Sequence, residues 1–284
     1  MKAKIRLNKK QRALKEKIIA YVLIAICSIF FLVPLLWMLL TALKSSEDLA
    51  SGVFFPTQLC WENFAKAVTS IPFGQYTFNS LYYAVFATIG TVISCTLTSY
   101  AFAKINWPGR DKWFLVMIGT LVIPTQVLQI PLFILYSNLG WLDTYNPLII
   151  PSYFAVGAAA NIFLLRQFFM GIPNSLKESA KLDGANEFQI FWYIMVPLIK
   201  SMLVVVAIMT FMNCWNDFYN PLLYISDSNL FPLAYAIRTF ASQYSNQNNL
   251  IMAASLIITL PSLILFFIAQ KQIIGSIAHT GVKG

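Results

Sequence analysis

The chain alternates long uncharged apolar runs with short polar clusters that carry most of its charge. The runs follow neither the period of a soluble amphipathic helix nor the alternation of a half-buried strand. A hydrocarbon core of about 30 Å is crossed by about 20 apolar residues of helix, so each run is a candidate span. Six are predicted, at 18–43, 77–103, 113–136, 144–165, 201–220 and 250–270. The second starts at 77 because the stretch from Thr69 to Asn79 is polar and holds Pro72 and Gly74. The sixth starts at 250 because Asn- and Gln-rich sequence precedes it. In the third, Pro124 and Pro131 remove helical donors and should kink or interrupt the helix, either for packing or at the substrate path.

Boundaries follow from the same pattern. Residues 1–17 form a basic N-terminus, 18–43 the first span, and 44–76 a segment long enough for short interfacial helices. Residues 77–270 form a five-helix core, and 271–284 a tail. Within the core, 104–112 is a short loop turning at Pro108–Gly109, and Ser137–Asp143 is another short loop. Residues 166–200 are a 35-residue, much less apolar stretch of a length that compact folds keep for function. The segment 221–249, rich in Asn, Ser and aromatic residues, reads equally as a contact surface or a solvated loop.

Composition agrees: 58% of the 284 residues are hydrophobic and 11% charged, against about 25% charged in soluble domains. The fold class is therefore an all-α polytopic membrane protein. The net charge of +9 is distributed by side rather than by patch. With six spans and the N-terminus inside, 17 of the 20 Lys and Arg residues face the cytoplasm, and only Lys44, Lys66 and Arg238 lie outside. That bias puts both termini in the cytoplasm and argues for a lipid-surface role of the N-terminus rather than a nucleic-acid partner. An apolar region of 26 residues at 18–43 is too long for a cleaved signal peptide. The four cysteines have no metal or disulfide spacing, and the single histidine, His279, leaves no metal cluster or catalytic base in the spans.

The 166–200 loop carries the most chemistry. Ser175 and Glu178 have capping-box spacing, which predicts a short helix from near Leu176. Gly184 suits a left-handed stop, and Asn186 a second cap. Ala180 and Gly184, four apart, would present a small-residue face flanked by Glu178 and Asp183. Spacing alone leaves two readings: docking to another protein, or an amphipathic helix on lipid headgroups.

ESAKLDGANEFQIFWYIMVPL, at 178–198, resembles the EAA motif of binding-protein-dependent ABC importer permeases. Glu178, Ala180, Asp183, Gly184, Ala185, Ile194 and Pro197 match, whereas Ser179 replaces the middle alanine and Ser201 stands where many members have a second proline. With FLLRQFF at 163–169, WNDFYNPLLY at 215–224 and the terminal GVKG, the similarity extends over nearly the whole chain and is closest to the carbohydrate-uptake branch. The resemblance implies a type I importer permease with six transmembrane helices in a cell (plasma or inner) membrane. The loop would be a coupling helix in a cleft of a cytoplasmic ATPase dimer. Glu178, Ser179, Ala180, Asp183, Gly184, Ala185 and Pro197 would form that interface. It also implies a second homologous permease, an extracytoplasmic solute-binding protein and a sugar substrate. The tail from Gly275 to Gly284 would reach the ATPase, and 226–249 would enter the binding protein's cleft. The sequence contains no GxxxxGK[ST] phosphate loop, so ATP and Mg would belong to the partner and no cofactor to this chain.

Asn213, Asn216, Asp217 and Asn220, spaced i, i+3, i+4, i+7, should share one face of the fifth helix. With Gln126 and Gln129 they form a candidate translocation path for neutral sugars, or else interhelical hydrogen bonds to the second permease. The rival function is a self-contained secondary carrier. It would place an ionisable group at the midplane, whereas Asp217 lies about 10 Å from its helix centre.

Overall fold

The computed structural model describes residues 9–243 and 247–281. The start of the basic N-terminal cluster, the end of GVKG and residues 244–246 of the 221–249 segment lie outside them. Four helical segments are long and apolar enough to cross a membrane, at 14–42, 73–104, 146–171 and 248–268, and two bent helix pairs bring the count to six among the described residues. The chain divides into two units, one running to Ser70 and including Gln243–Ile257, the other Ile71–Ser242 with the chain from Ile258 onward.

The first unit is built on α1 (Lys9–Ala42), whose apolar window is wholly exposed. Two short helices follow, α2 (Ser46–Ser51) and α3 (Glu62–Thr69). Ser45 caps α2 with a reciprocal box to Asp48. The Asp48 carboxylate also accepts from the Thr57 hydroxyl (2.7 Å) and amide (3.2 Å). The Thr57 hydroxyl, with the amides of Thr57 and Ser45, holds this carboxyl below its usual range despite desolvation. Buried Asn63 donates to the carbonyls of Ala42 and Lys44, both at 2.9 Å, and Asn249 donates to Lys44 at 3.0 Å. These amides satisfy carbonyls that the end of α1 leaves without helical partners.

The second unit is organised around α4 (Phe73–Lys104), the most buried span. Beyond the turn at Gly109 run α5 (Arg110–Gly119), with a 3₁₀ turn to Val122, and α6 (Thr125–Asn138). The pair bends by 98° at Ile123–Pro124. Pro124 thus interrupts the span as the sequence predicts, whereas Pro131 sits inside α6 without ending it. The fourth span comprises α7 (Asn146–Ile149), a 3₁₀ turn Ile150–Phe154 and α8 (Ala159–Gly171). Gly90 of α4 lies so close to that turn that a Cβ would come within 2.4 Å of Ser152 Oγ and 2.6 Å of the Tyr153 ring. Ser94 Oγ donates across the same contact to the Ser152 carbonyl at 2.7 Å.

After α9 (Asn174–Leu182) comes a continuous helix formed by α10 (Glu187–Gln189), a π-helical turn Ile190–Met195 and α11 (Val196–Leu198). It bends by 78° into α12 (Lys200–Trp215). The fifth helix therefore stops at Trp215 rather than running to 220. After it come α13 (Tyr219–Tyr224), a 3₁₀ turn Ser228–Leu230, α14 (Leu233–Gln243) and α15 (Asn248–Gly281). One core cluster joins Cys95 and Tyr100 of α4, Leu165 and Phe169 of α8, Ala180 of α9 and Ile190 to the α12 side chains Met202 and Val206. The 166–200 loop is thus packed into the body of the bundle rather than suspended from it.

Candidate functional site

Helix α9 begins after Pro173, whose fixed φ suits a helix start, but no side chain caps it. Ser175 already lies in its first turn, so the expected Ser175–Glu178 capping box does not form. Proline ended the preceding segment and set the helix start two residues before the one predicted. The other end matches the prediction. Gly184 adopts φ +85°, the Ala185 amide bonds the Ala180 carbonyl (2.9 Å), and the Gly184 amide bonds that of Lys181 (3.0 Å). Together these form a Schellman stop. Asn186 then caps the next helix in a reciprocal box with Gln189, both bonds at 2.9 Å.

Ion pairs brace the loop internally and hydrogen bonds fix it to the end of α4. Glu187 pairs with Lys177 (3.0 Å) and Lys181 (2.7 Å) and accepts from the Tyr100 hydroxyl (2.9 Å). Lys177 Nζ also donates to the Lys104 carbonyl at 2.6 Å. Lys104 Nζ in turn donates to the Ile172 carbonyl (2.6 Å) and Asn174 Oδ1 (2.8 Å). Arg166 lies 3.9 Å over the Phe114 ring and donates to the Phe102 carbonyl at 3.3 Å. The sequence reading missed this network. The i, i+4 pair Lys177 and Lys181, followed by Asp183 and Glu187, is the one signal that pointed toward it, without saying which acid takes the pair.

The network decides which side of α9 faces outward. Of the small outward face expected from Ala180 and Gly184, Gly184 is exposed but Ala180 is buried, and neighbouring Ala185 is half-buried. The side chains of Ala180 and Ala185 pack against the molecule's own core. Glu178, Ser179, Asp183, Gly184 and, farther on, Pro197 are exposed. Among them stands Leu182, 89% exposed, which the sequence reading did not single out.

At the far end of the bundle the expected face of Asn213, Asn216, Asp217 and Asn220 does not exist as one helical stripe, because α12 ends before α13 begins. Asp217 causes the break. Its Oδ1 accepts from the amides of Tyr219 (3.0 Å) and Asn220 (3.1 Å), and its Oδ2 from Asn220 Nδ2 (2.8 Å) and the buried Tyr83 hydroxyl (2.9 Å). Asn216 returns its amide to the Met212 carbonyl at 2.8 Å, and Asn213 is exposed on α12. Gln129 joins the group through the Tyr219 hydroxyl at 2.8 Å, whereas exposed Gln126 contacts only its neighbour Thr125 among the bonds formed by the described residues.

The adjoining part of 221–249 is held firmly. Asp143, at φ 57°, accepts from the Ser226 and Asp227 amides, Tyr145 donates to the Leu230 carbonyl at 2.8 Å, and Asn79 to the Asn229 carbonyl at 2.8 Å. From Ser226 to Leu233 the segment is a structured cap on the end of α4, not a free loop.

A family model described as "Binding-protein-dependent transport system inner membrane component" matches residues 90–278. The chain is 31% identical to the arabinooligosaccharides transport system permease protein AraQ of Halalkalibacterium halodurans, over 94% of this chain and 95% of that one. To AraQ of Bacillus subtilis it is 33% identical over 90% and 92%. It is 33% identical over 71% and 72% to the sn-glycerol-3-phosphate transport system permease protein UgpE of Yersinia enterocolitica. Among solved structures it resembles a chain of a bacterial ABC transporter involved in the import of the acidic polysaccharide alginate. That similarity has a TM-score of 0.78 at 22% identity and covers 94% of this chain and 99% of that one.

Proposed function

The chain belongs to the family of binding-protein-dependent transport system inner membrane components, and from that premise we propose how it works as the permease subunit of a sugar ABC importer. It forms half of a translocation pathway, the other half coming from a homologous second permease. An apolar window of α1 with none of its residues buried is consistent with cover by lipid and by that partner. Both termini lie in the cytoplasm, by the positive-inside bias. The 166–200 loop docks an ATPase dimer that binds ATP and Mg, and an extracytoplasmic binding protein delivers the substrate at the Asp217 end.

The observation that carries the coupling role is the one-sided build of α9. Its inner side is bound to α4 and α8 through Ala180, Lys177 and Glu187, so a push on the loop reaches the spans without loss in a flexible tether. Its outer side presents Leu182 between Glu178, Ser179 and Asp183, an apolar knob with an acidic rim suited to a pocket with a basic edge. The turn at Gly184 has open space around its Cα, so a partner can approach the backbone there.

The substrate class follows the relatives, which are named for arabinooligosaccharides, diacetylchitobiose, lactose and glycerol-3-phosphate. Asn220, Tyr219 and Gln129 supply neutral hydrogen-bonding and aromatic groups toward that pathway. The Asp217 carboxylate is engaged by four donors, a state that suits a structural role better than proton coupling.

The test is a mild-detergent pull-down of the tagged chain from its host, as wild type, Glu178→Lys, Leu182→Asp and Gly184→Trp. An ATPase and a second permease should be recovered with the wild type. The ATPase, but not the permease, should be lost from the variants. ATP-dependent uptake of labelled oligosaccharides should fall with it. Undiminished ATPase recovery in all three variants would remove the interface assignment.

A further inference from the structure

Two cavities border the turn that joins α4 to α5. One is a polar cleft of about 400 Å³ between the end of α4 and α9, into which Lys104, Arg110, Lys177 and Lys181 all project. Glu178 is the only acid in its lining, with Asn106 and Asn174 as neutral polar walls. The other is an apolar groove of about 560 Å³ along α4, α5 and α8, walled by Phe102, Trp107, Trp113, Val116, Met117 and Phe154. Asn106 and Arg110 line the first cavity and Trp107 the second, and a third pocket at the 106–110 turn is lined by all three residues and so adjoins both.

We propose that this pair of cavities is a binding site for one anionic phospholipid, its phosphate in the cationic cleft and one acyl chain in the apolar groove.

The cations have bonding capacity left. Among the described residues Lys104 bonds only a carbonyl and an amide oxygen and has no carboxylate partner. Lys181 meets Glu187 alone. Arg110 uses Nε on exposed Asp111 and Nη1 on Asn106, leaving part of its planar fork free for a phosphate. The carboxylates near the cleft are Glu178 in its wall, Glu187 behind Lys177 and Lys181, and Asp111 beside Arg110. They do not cancel the four cations. A neutral lipid headgroup would bring its own cation into this field; an anionic one would not.

The groove supplies a second, independent requirement. A free phosphate has no use for an apolar channel beginning one residue from its site, whereas a lipid needs both compartments in that order. Trp107 and Trp113, at the seam, are the residue type that settles at the boundary between headgroups and acyl chains. That the lipid comes from the cytoplasmic leaflet rests on the orientation proposed above; the site itself does not.

The test uses the full chain in nanodiscs of mixed phosphatidylglycerol and phosphatidylcholine, with retained lipid counted by native mass spectrometry. Phosphatidylglycerol should be retained in about tenfold preference, the value expected when one to two basic contacts act beyond those the carboxylates offset. The pair Arg110→Gln and Lys181→Gln should bring that ratio close to unity. The pair Lys66→Gln and Lys200→Gln, which removes equal charge away from the cleft and from the basic N-terminus, should leave it unchanged. Val116→Trp should fill the groove and lower retention. Glu178→Gln should raise the preference, a direction that misfolding cannot mimic. Titration of inorganic phosphate into phosphatidylcholine nanodiscs should show no saturable binding. Saturable phosphate binding that survives Val116→Trp, without lipid retention, would make this a free-anion site and overturn the proposal. Equal retention of the two lipids, or equal loss in both double variants, would also overturn it. Because no ATPase is present, neither result depends on the coupling assignment.

Discussion

At Gly184 and at Asp217 the chain breaks a helix by opposite means. At Gly184 the backbone does the work: a left-handed residue reverses the chain, two crossed amide bonds close the end of α9, and the next cap is a local amide side chain. At Asp217 a side chain does the work. One carboxylate gathers two amides of α13, the Asn220 side chain and a tyrosine hydroxyl from a helix 134 residues away in sequence. The first device is modular and leaves its outer surface free for a partner. The second ties the break to α4, so any movement there is felt by the span that organises the bundle. A transport subunit driven at one end and gated at the other has use for both kinds of joint.

The sharpest way to break the comparison is Asp217→Ala. It strands the buried Tyr83 hydroxyl and releases the amides at the start of α13, and should cost about 3 kcal/mol. Hydrogen exchange should rise across 219–224 and leave 182–186 unchanged. Unaltered protection of 219–224 would mean that packing of Tyr224 and Ile225, not Asp217, holds the break.

Glu187→Gln attacks the Gly184 end through its anchors. It weakens the bonds to Lys177 and Lys181 and leaves Lys177, whose side chain is 12% exposed, without a counter-ion. A smaller loss of about 2 kcal/mol is expected, because Glu187 itself is partly open to solvent. Protection should fall over 174–189 while 219–224 is spared, the mirror image of the first variant. Loss at both ends would show that the two joints are one cooperative unit.

Gly184→Ala is milder still. A Cβ at this position meets no atom within 4 Å, so the cost is that of φ +85° alone, about 1 kcal/mol. Gly184→Asn, with its tolerance for the left-handed region, should recover most of it in thermal unfolding. No recovery would point to contact rather than conformation as the reason for glycine.

The asymmetry between the joints explains what could be read from the sequence. Six spans, the break at Pro124, the stop at Gly184 and the cap at Asn186 are all set by residues within a few positions of the feature, so local pattern predicts them. The Ser175 capping box failed because Pro173 offered a nearer start. The stripe from Asn213 to Asn220 failed for a deeper reason. A helical wheel assumes the helix continues, and here one of the residues on the wheel ends it. Which face of α9 looks outward was equally hidden, since Ala180 is buried in a core cluster with Tyr100 of α4 and with Phe169 and Phe191 of the flanking helices, none of them on α9 itself.

The smallest effect on stability separates the candidate path from mere structure. Tyr219 is exposed, and its hydroxyl donates to Gln129 across the broken third span. Tyr219→Phe keeps the ring and removes one solvent-accessible bond, so stability should change by no more than about 0.5 kcal/mol. If Gln129 and Tyr219 line the sugar's route, the loss of a hydroxyl that positions an amide should nonetheless lower uptake severalfold. A polar site that loses one donor discriminates against a hydroxylated substrate more strongly than its stability cost suggests. Gln129→Leu should lower uptake similarly, and the double variant should add little, because the two residues act through one bond. Normal uptake in Tyr219→Phe, with the small stability change found as expected, would assign the bond to holding α6 against α13. The path would then have to be sought on the second permease proposed above.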